Sequence, residues 1–327
     1  MRQRHDLSAW CYVSGWVSVL ETQLLGEDVY TALLESGAPE TAWGVLSKTG
    51  YRSHLGRLED LRHFEQWVQE FSREQRTAIG ALCPQRDLVA FFEFDRRYRM
   101  ERARWTSSEE KEDHETDVPR TVEAFLRIYS EMGYPLFVED YQAILEGRDL
   151  WETGRSGGLS NFLDSLYLSL LLTWGRRWPG TLIHDYVERY VWFKVAEVAL
   201  RSVRRGVDVA QLDRYLFLGP LRTDPVAAML EGEEYPDVLQ LVEVLLPSGF
   251  AMPAEVNSSL EAFQRGAERF LLEIVWPARY VVFGPEKVFG YLCGLRNQEA
   301  NMRFCLSTVL YSLDPRLTGE RLRPIYV

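Results

Sequence analysis

The residues able to do chemistry are present in this sequence, but they are not arranged to do it. Glu109-Glu110 and Glu233-Glu234 are adjacent carboxylate pairs. Sequence neighbours do not share a helix face, so neither pair reads as a general acid with its base. The five histidines are scattered without metal-ligand spacing. The four cysteines, Cys11, Cys83, Cys293 and Cys305, form no C-x-x-C pair and sit in apolar helical text, which predicts reduced, buried thiols. Gly154 to Gly158 lacks the lysine and the strand–helix context of a phosphate-cradling loop, and no G-x-x-x-x-G-K-[ST] occurs. G-x-S-x-G, H-E-x-x-H and D-D-x-x-D are also missing. The expectation is a chain with no catalytic residues, no cofactor and no metal. Arg303, Arg321 and Arg323 crowd the C-terminal end. They read either as partners of helix C-terminal dipoles or as contacts to acidic or carbonyl groups on a partner.

The elements that must position these residues read as helices. Trp10, Val13, Trp16, Val17, Leu20 and Leu24 recur with helical period. Val29 to Glu35 and Thr41 to Lys48 follow as short helices, then stripes at Leu58 to Arg73 and Glu74 to Ala81. Asp87 to Arg99 carries an aromatic face of Phe91, Phe92, Phe94 and Tyr98. Arg104 to Pro119 is polar, acidic and aperiodic, and reads as an exposed loop. Val122 to Glu131 and Val138 to Glu146 are expected helices, and Glu152 to Gly158 is a break. Two long helices, Leu159 to Trp174 and Thr181 to Arg205, are joined by Gly175 to Gly180. Val226 to Glu231, Tyr235 to Leu246 and Leu260 to Trp276 complete the middle. In the last stretch Gly284-Pro285 marks a helix entry and Asp314-Pro315 a stop, with a short basic helix expected over Thr318 to Arg323. The best strand candidate is Tyr280 to Phe283, and it is short. The fold class is therefore all-α.

Composition narrows function further. The 327 residues, 46% hydrophobic, are ample for a core. A net charge of −11 argues against general nucleic-acid binding and against docking on anionic lipid. No apolar run approaches the roughly 18 residues a membrane span needs, and residues 1–6 lack the apolar core of a signal. The chain is expected to be cytoplasmic. Ten Trp, sixteen Phe and sixteen Tyr suit a large helical core, or in part a recess for a partner helix.

The C-terminal stretch carries a resemblance. Gly284, Glu286, Tyr291, Leu292, Asn301, Arg303, Leu322, Arg323, Tyr326 and Val327 match the tail of the C subunit of the bacterial and archaeal V/A-type ATPases, whose eukaryotic relative is the d subunit. Leu295, Arg296 and Gln298 stand where that family has a Lys-Glu-x-Glu run. Tyr12, Val13, Val17 and Leu20 resemble its first helix, with Gly15 and Trp16 as departures. Val45 to Tyr51, Leu159 to Gly219, and Met229 to Gly232 with Tyr235 are similar to further family segments.

The resemblance implies one domain over 1–327 built from three helical units in a pseudo-threefold funnel. The units would fall at about 1–105, 120–220 and 221–327, with the N-terminal helix packed on the C-terminal unit. Family repeat markers align at Asp87, Ala90 and Arg96, at Trp192, Val195 and Arg201, and at Gln298, Asn301 and Ser307, all in degraded form. The implied function is a non-catalytic rotor-connecting subunit on the inner face of a membrane. Its partners would be the ATPase central-stalk subunits and the membrane rotor ring. A free-standing all-α adaptor with the same fold is the alternative. Asn301 and Arg303 point about 200° apart on a helix. Asn301 is expected to bridge to backbone of a neighbouring unit, and Arg303 to make an exposed or interdomain ion pair.

Overall fold

Where the sequence strings apolar residues at three- and four-residue intervals, the computed structural model has helices. It describes residues 7–55, 58–108, 158–216, 221, 223–232, 237–250, 252 and 259–327. The protein is all-α, and no strand occurs among the described residues. These residues form two compact units, Met1–Val89 with Glu268–Val327, and Ala90–Ala267.

The first unit joins both ends of the chain. Helices α1 (Leu7–Glu21), α2 (Glu27–Glu35), α3 (Pro39–Leu46) and α4 (Phe64–Leu82) surround the long C-terminal helix Pro285–Tyr311. That helix is buried at 18 of its 27 positions, so it is the axis of the core and not an amphipathic surface helix. α4 shows the amphipathic alternative: Phe64, Trp67, Val68, Phe71 and Ile79 are buried along one stripe. A 3-10 turn, Leu58–His63, precedes α4, and the two stripes expected at Leu58 to Arg73 and Glu74 to Ala81 fall within this turn and one continuous helix. Cys83, Cys293 and Cys305 are buried as expected, but Cys11 is exposed because it lies on the face of α1 turned from the core.

The second unit is centred on the pair expected from sequence. α5 (Asp87–Ser108) leads in from the first unit's sequence, and α6 (Gly158–Gly175) packs on α7 (Leu182–Arg204). Gly175 permits the close approach, since a Cβ there would lie 2.8 Å from Val187 Cγ1. Thr181 caps α7 by accepting a hydrogen bond from the His184 amide. α8 (Val209–Leu216) lies on α6 and α7, and α10 (Val238–Leu245) packs on α7 and on α9 (Asp224–Leu230). Aromatic stacking fills the interior, with Phe91 on Trp174 at 4.7 Å and Tyr98 on Tyr167 at 4.1 Å between ring centroids. α11 (Leu260–Val275) contributes Phe263, which meets Phe193 and Phe250.

Three expectations are corrected. The Tyr280 to Phe283 strand does not form. Pro277 sits in a 3-10 turn, Trp276–Tyr280, and Val282 and Phe283 are exposed with no neighbouring strand to pair with. α5 runs through Ser108, beyond the start of the loop expected from Arg104. Numbering the long C-terminal helix α12, the closing helix α13 is Pro315–Gly319, not Thr318 to Arg323. Asp314 caps it by accepting from the Arg316 amide, and Pro315 fixes its first turn, so it starts early. The expected helices Val122 to Glu131 and Val138 to Glu146, the pairs Glu109-Glu110 and Glu233-Glu234, and residues 152–157 of the break lie outside the described residues.

Candidate functional site

Gly284 opens α12 at φ 139°, a conformation that favours glycine, and its amide donates to Ser14 Oγ of α1 at 3.1 Å. Glu286 stands in the first turn, where a carboxylate complements the helix dipole. Tyr291 is buried, and burial pushes its hydroxyl well above the ordinary range, with the Glu21 charge adding to the effect. From here α12 becomes a platform for the tail. Gly290 and Gly294 are one turn apart, and the bare surface they leave is filled by the Tyr326 ring and, at Gly290, by the Ala278 methyl as well. A Cβ at Gly290 would lie 2.6 Å from Tyr326 Oη, and one at Gly294 2.9 Å from the Tyr326 Cβ.

The tail is then bound by its backbone. Asn301 Nδ2 donates to the Arg323 carbonyl at 2.9 Å, and the Arg323 amide donates to Asn301 Oδ1 at 2.7 Å. Asn297 Nδ2 donates to the Pro324 carbonyl at 3.1 Å. Asn301 thus bridges to backbone as expected, but to the tail of its own unit. This pair of hydrogen bonds satisfies both backbone polar groups of Arg323, as a neighbouring strand residue would, and holds the irregular segment past the Glu320–Arg321 turn against the helix. Leu322 is half-buried in that strap.

The three arginines expected at a partner surface differ. Arg323 directs its side chain to Glu268, with Nε 3.1 Å from Oε1. Arg303 pairs with Glu299 one turn earlier at 2.6 Å, and Glu299 also receives Arg76 of α4 at 3.3 Å. Arg321 is exposed. Arg303 therefore does make an ion pair, but within its own unit and half-buried.

Of the residues in the place of the Lys-Glu-x-Glu run, Leu295 and Gln298 are buried, and Gln298 is engaged through both its oxygen and its nitrogen. Its Oε1 accepts from the Leu25 amide at 2.7 Å, and its Nε2 donates to Tyr51 Oη at 3.1 Å. The repeat markers occupy unequal places: Asp87 begins α5, whereas Trp192 and Gln298 lie in the middles of α7 and α12.

Sequence reasoning missed a second polar cluster, inside the second unit. Asp95 accepts hydrogen bonds from the hydroxyls of Tyr167 at 2.8 Å and Tyr190 at 3.4 Å, and Tyr98 donates to the buried Asp164. Glu197 is buried and accepts from Lys194, Arg201 and Gln264. Burial alone would raise its carboxyl, but these donors hold it below the ordinary range. The signal was legible: lone acids inside apolar helical text, as in Phe162-Leu163-Asp164 and Ala196-Glu197-Val198, must find donors. No group of three or more His, Cys, Asp or Glu poised for a metal occurs among the described residues. What the C-terminal cluster does chemically is hold the backbone of residues 323 and 324. No family model matches the chain, and no curated protein matches its sequence.

Proposed function

We propose that the chain is a non-catalytic rotor-connecting subunit of a V/A-type ATPase. In this reading it links the central stalk to the membrane rotor ring and passes torque between them. The observation that carries the reading is the C-terminal resemblance, whose matched residues Gly284, Tyr291, Asn301, Arg323 and Tyr326 gather on one helix and its tail. An all-α chain suits a torque-bearing connector. No helix among the described residues is long and apolar enough to cross a membrane. Attachment would then be peripheral, on the cytoplasmic face and through the complex, with the ion path and the ATP chemistry residing in other subunits.

One observation favours the alternative, an all-α adaptor that no longer joins an ATPase. The positions of the family's acidic run are absorbed into the core by Leu295 and Gln298, which leaves no acidic contact there. Co-expression separates the two readings. The tagged chain is expressed with the ring and stalk subunits encoded nearest to it, and the complex is captured in mild detergent. Retention of ring and stalk supports the connector. A folded chain that retains neither overturns it in favour of the adaptor. Calorimetry with ATP is expected to give no heat of binding, because no phosphate-cradling loop exists in the sequence. Tight binding would overturn both.

A further inference from the structure

Helix α1 turns an uncharged face to the outside. From Ser8 to Val19 it carries no charge, and eight of those positions are exposed. A helix whose outer face is as charge-free as its inner one is ordinarily covered on both sides. Ser8, Tyr12, Gly15 and Val19 follow one another at intervals of four, three and four, the spacing of a seam between two paired helices. The seam alternates in size: Ser8 and Gly15 occupy one kind of position, Tyr12 and Val19 the other. A Cβ on Gly15 would meet nothing within 4 Å, so that position is an open hole. Trp16 stands exposed on one flank of the seam. Ser14 lies beyond the other flank, where its hydroxyl accepts from the Gly284 amide at 3.1 Å and so sets the exposed Val282 and Phe283 beside α1.

We propose that this face is a homodimer seam, closed by α1 of a second copy of the chain running antiparallel to the first. The inference does not rest on the ATPase reading. In an antiparallel helix pair the two kinds of seam position face each other. Tyr12 then meets Gly15 of the second copy and Val19 meets its Ser8, so each layer sets a large side chain into the hole left by a small one. A parallel pair would set Tyr12 on Tyr12 and Gly15 on Gly15, crowding one layer and hollowing the next. A second copy also answers the electrostatics. The chain has a net charge of −11, yet two copies of this face bring no charge into the seam. The area suffices as well. Tyr12, Trp16, Tyr280 and Phe283 are 70%, 43%, 77% and 40% exposed. At about 150–250 Å² per aromatic side chain they offer about 500 Å² per copy, so a pair reaches the about 1,000 Å² of a specific but modest interface.

The test is sedimentation velocity of the full chain across micromolar concentrations, with the fold of each variant checked by circular dichroism. The chain is expected to form a reversible dimer. Gly15→Tyr sets tyrosine against Tyr12 and should weaken dimerisation by about thirtyfold or more, the effect of losing a hot spot. The double variant Tyr12→Ala/Gly15→Tyr pairs large with small again and should restore the dimer. Leu317→Glu, at an exposed apolar position of α13, should leave it unchanged. Should Gly15→Tyr fold poorly, Val19→Glu decides: loss of the dimer supports the seam and its retention overturns it. A chain that stays monomeric throughout overturns the proposal. So does a double variant that fails to regain the dimer, because the layers are then not antiparallel. Equal loss with Leu317→Glu would mean unspecific association through apolar surface, and would overturn it too. A monomer that floats with phosphatidylcholine vesicles, and more strongly as Gly15→Tyr, would assign the face to a lipid surface in place of a second copy.

Discussion

At the scale of single residues, Asn301 and Arg303 show how two neighbours on one helix come to different work. Asn301 is 1% exposed and satisfies both backbone groups of Arg323. Replacing it with Leu removes two bonds and leaves a backbone N–H and C=O without their partner, which should cost about 1–3 kcal/mol. Arg303 is half-exposed and shares Glu299 with Arg76. Arg303→Ala leaves that glutamate partnered, so the loss should stay below about 1 kcal/mol. Urea midpoints of the two variants check the order, and the reverse order would mean the roles are exchanged. Buried acids give a second prediction. Burial raises Cys305 from 9.0 to about 12 and pushes Tyr30, Tyr51 and Tyr326 upward as well. Below about pH 7.5 both states keep these protons, and the stability is complete. As pH rises further the unfolded chain releases protons first and binds fewer than the native state, so stability falls toward the folded values. Denaturant midpoints at about pH 8 and about pH 10.5 should show the decline, and Tyr326→Phe should lessen it.

At the scale of elements, glycine means different things in α1 and α12. Gly15 lies on the exposed face of α1, and a Cβ there meets nothing within 4 Å. Gly15→Ala should stabilise the protein by up to about 1 kcal/mol, the propensity difference within a helix. Gly294 gains the same propensity from Ala, but the added methyl would stand 2.9 Å from three Tyr326 atoms. Overpacking typically costs about 1–3 kcal/mol, so the net change is destabilising. Thermal melts of the two variants should move in opposite directions. A shared upward shift would mean that the tail yields to the methyl freely.

At the scale of the whole molecule, the first unit is closed by residues from opposite ends of the chain. Lys287 and Glu21 are 266 positions apart, and their side chains are 5% and 15% exposed. Lys287→Met leaves the largely buried Glu21 carboxylate without its cation and should cost about 3–5 kcal/mol, whereas pairing it with Glu21→Leu should recover much of that loss. A double-mutant cycle measures the coupling. A coupling near zero would show that the pair does not hold the two ends together.

The helices of this protein were legible in its sequence because their signals are local. A period near 3.6, a proline at an N-terminus or a glycine at a turn acts over a few residues, and α6, α7 and α12 form where that text predicts them. All-α character follows from the same scarcity of period-two text. The fates of the site residues were not legible, because they depend on partners distant in sequence. Asn301 needed the Arg323 backbone beside it, Gln298 needed Leu25 and Tyr51, and the small surface of Gly290 and Gly294 acquired meaning only when Tyr326 lay on it. The buried acids are an intermediate case. Sequence dictated that Asp164 and Glu197 must find donors, since an unpaired charge inside a core is too costly to keep. Only tertiary packing decided that the donors would be Tyr98 for one and Lys194, Arg201 and Gln264 for the other.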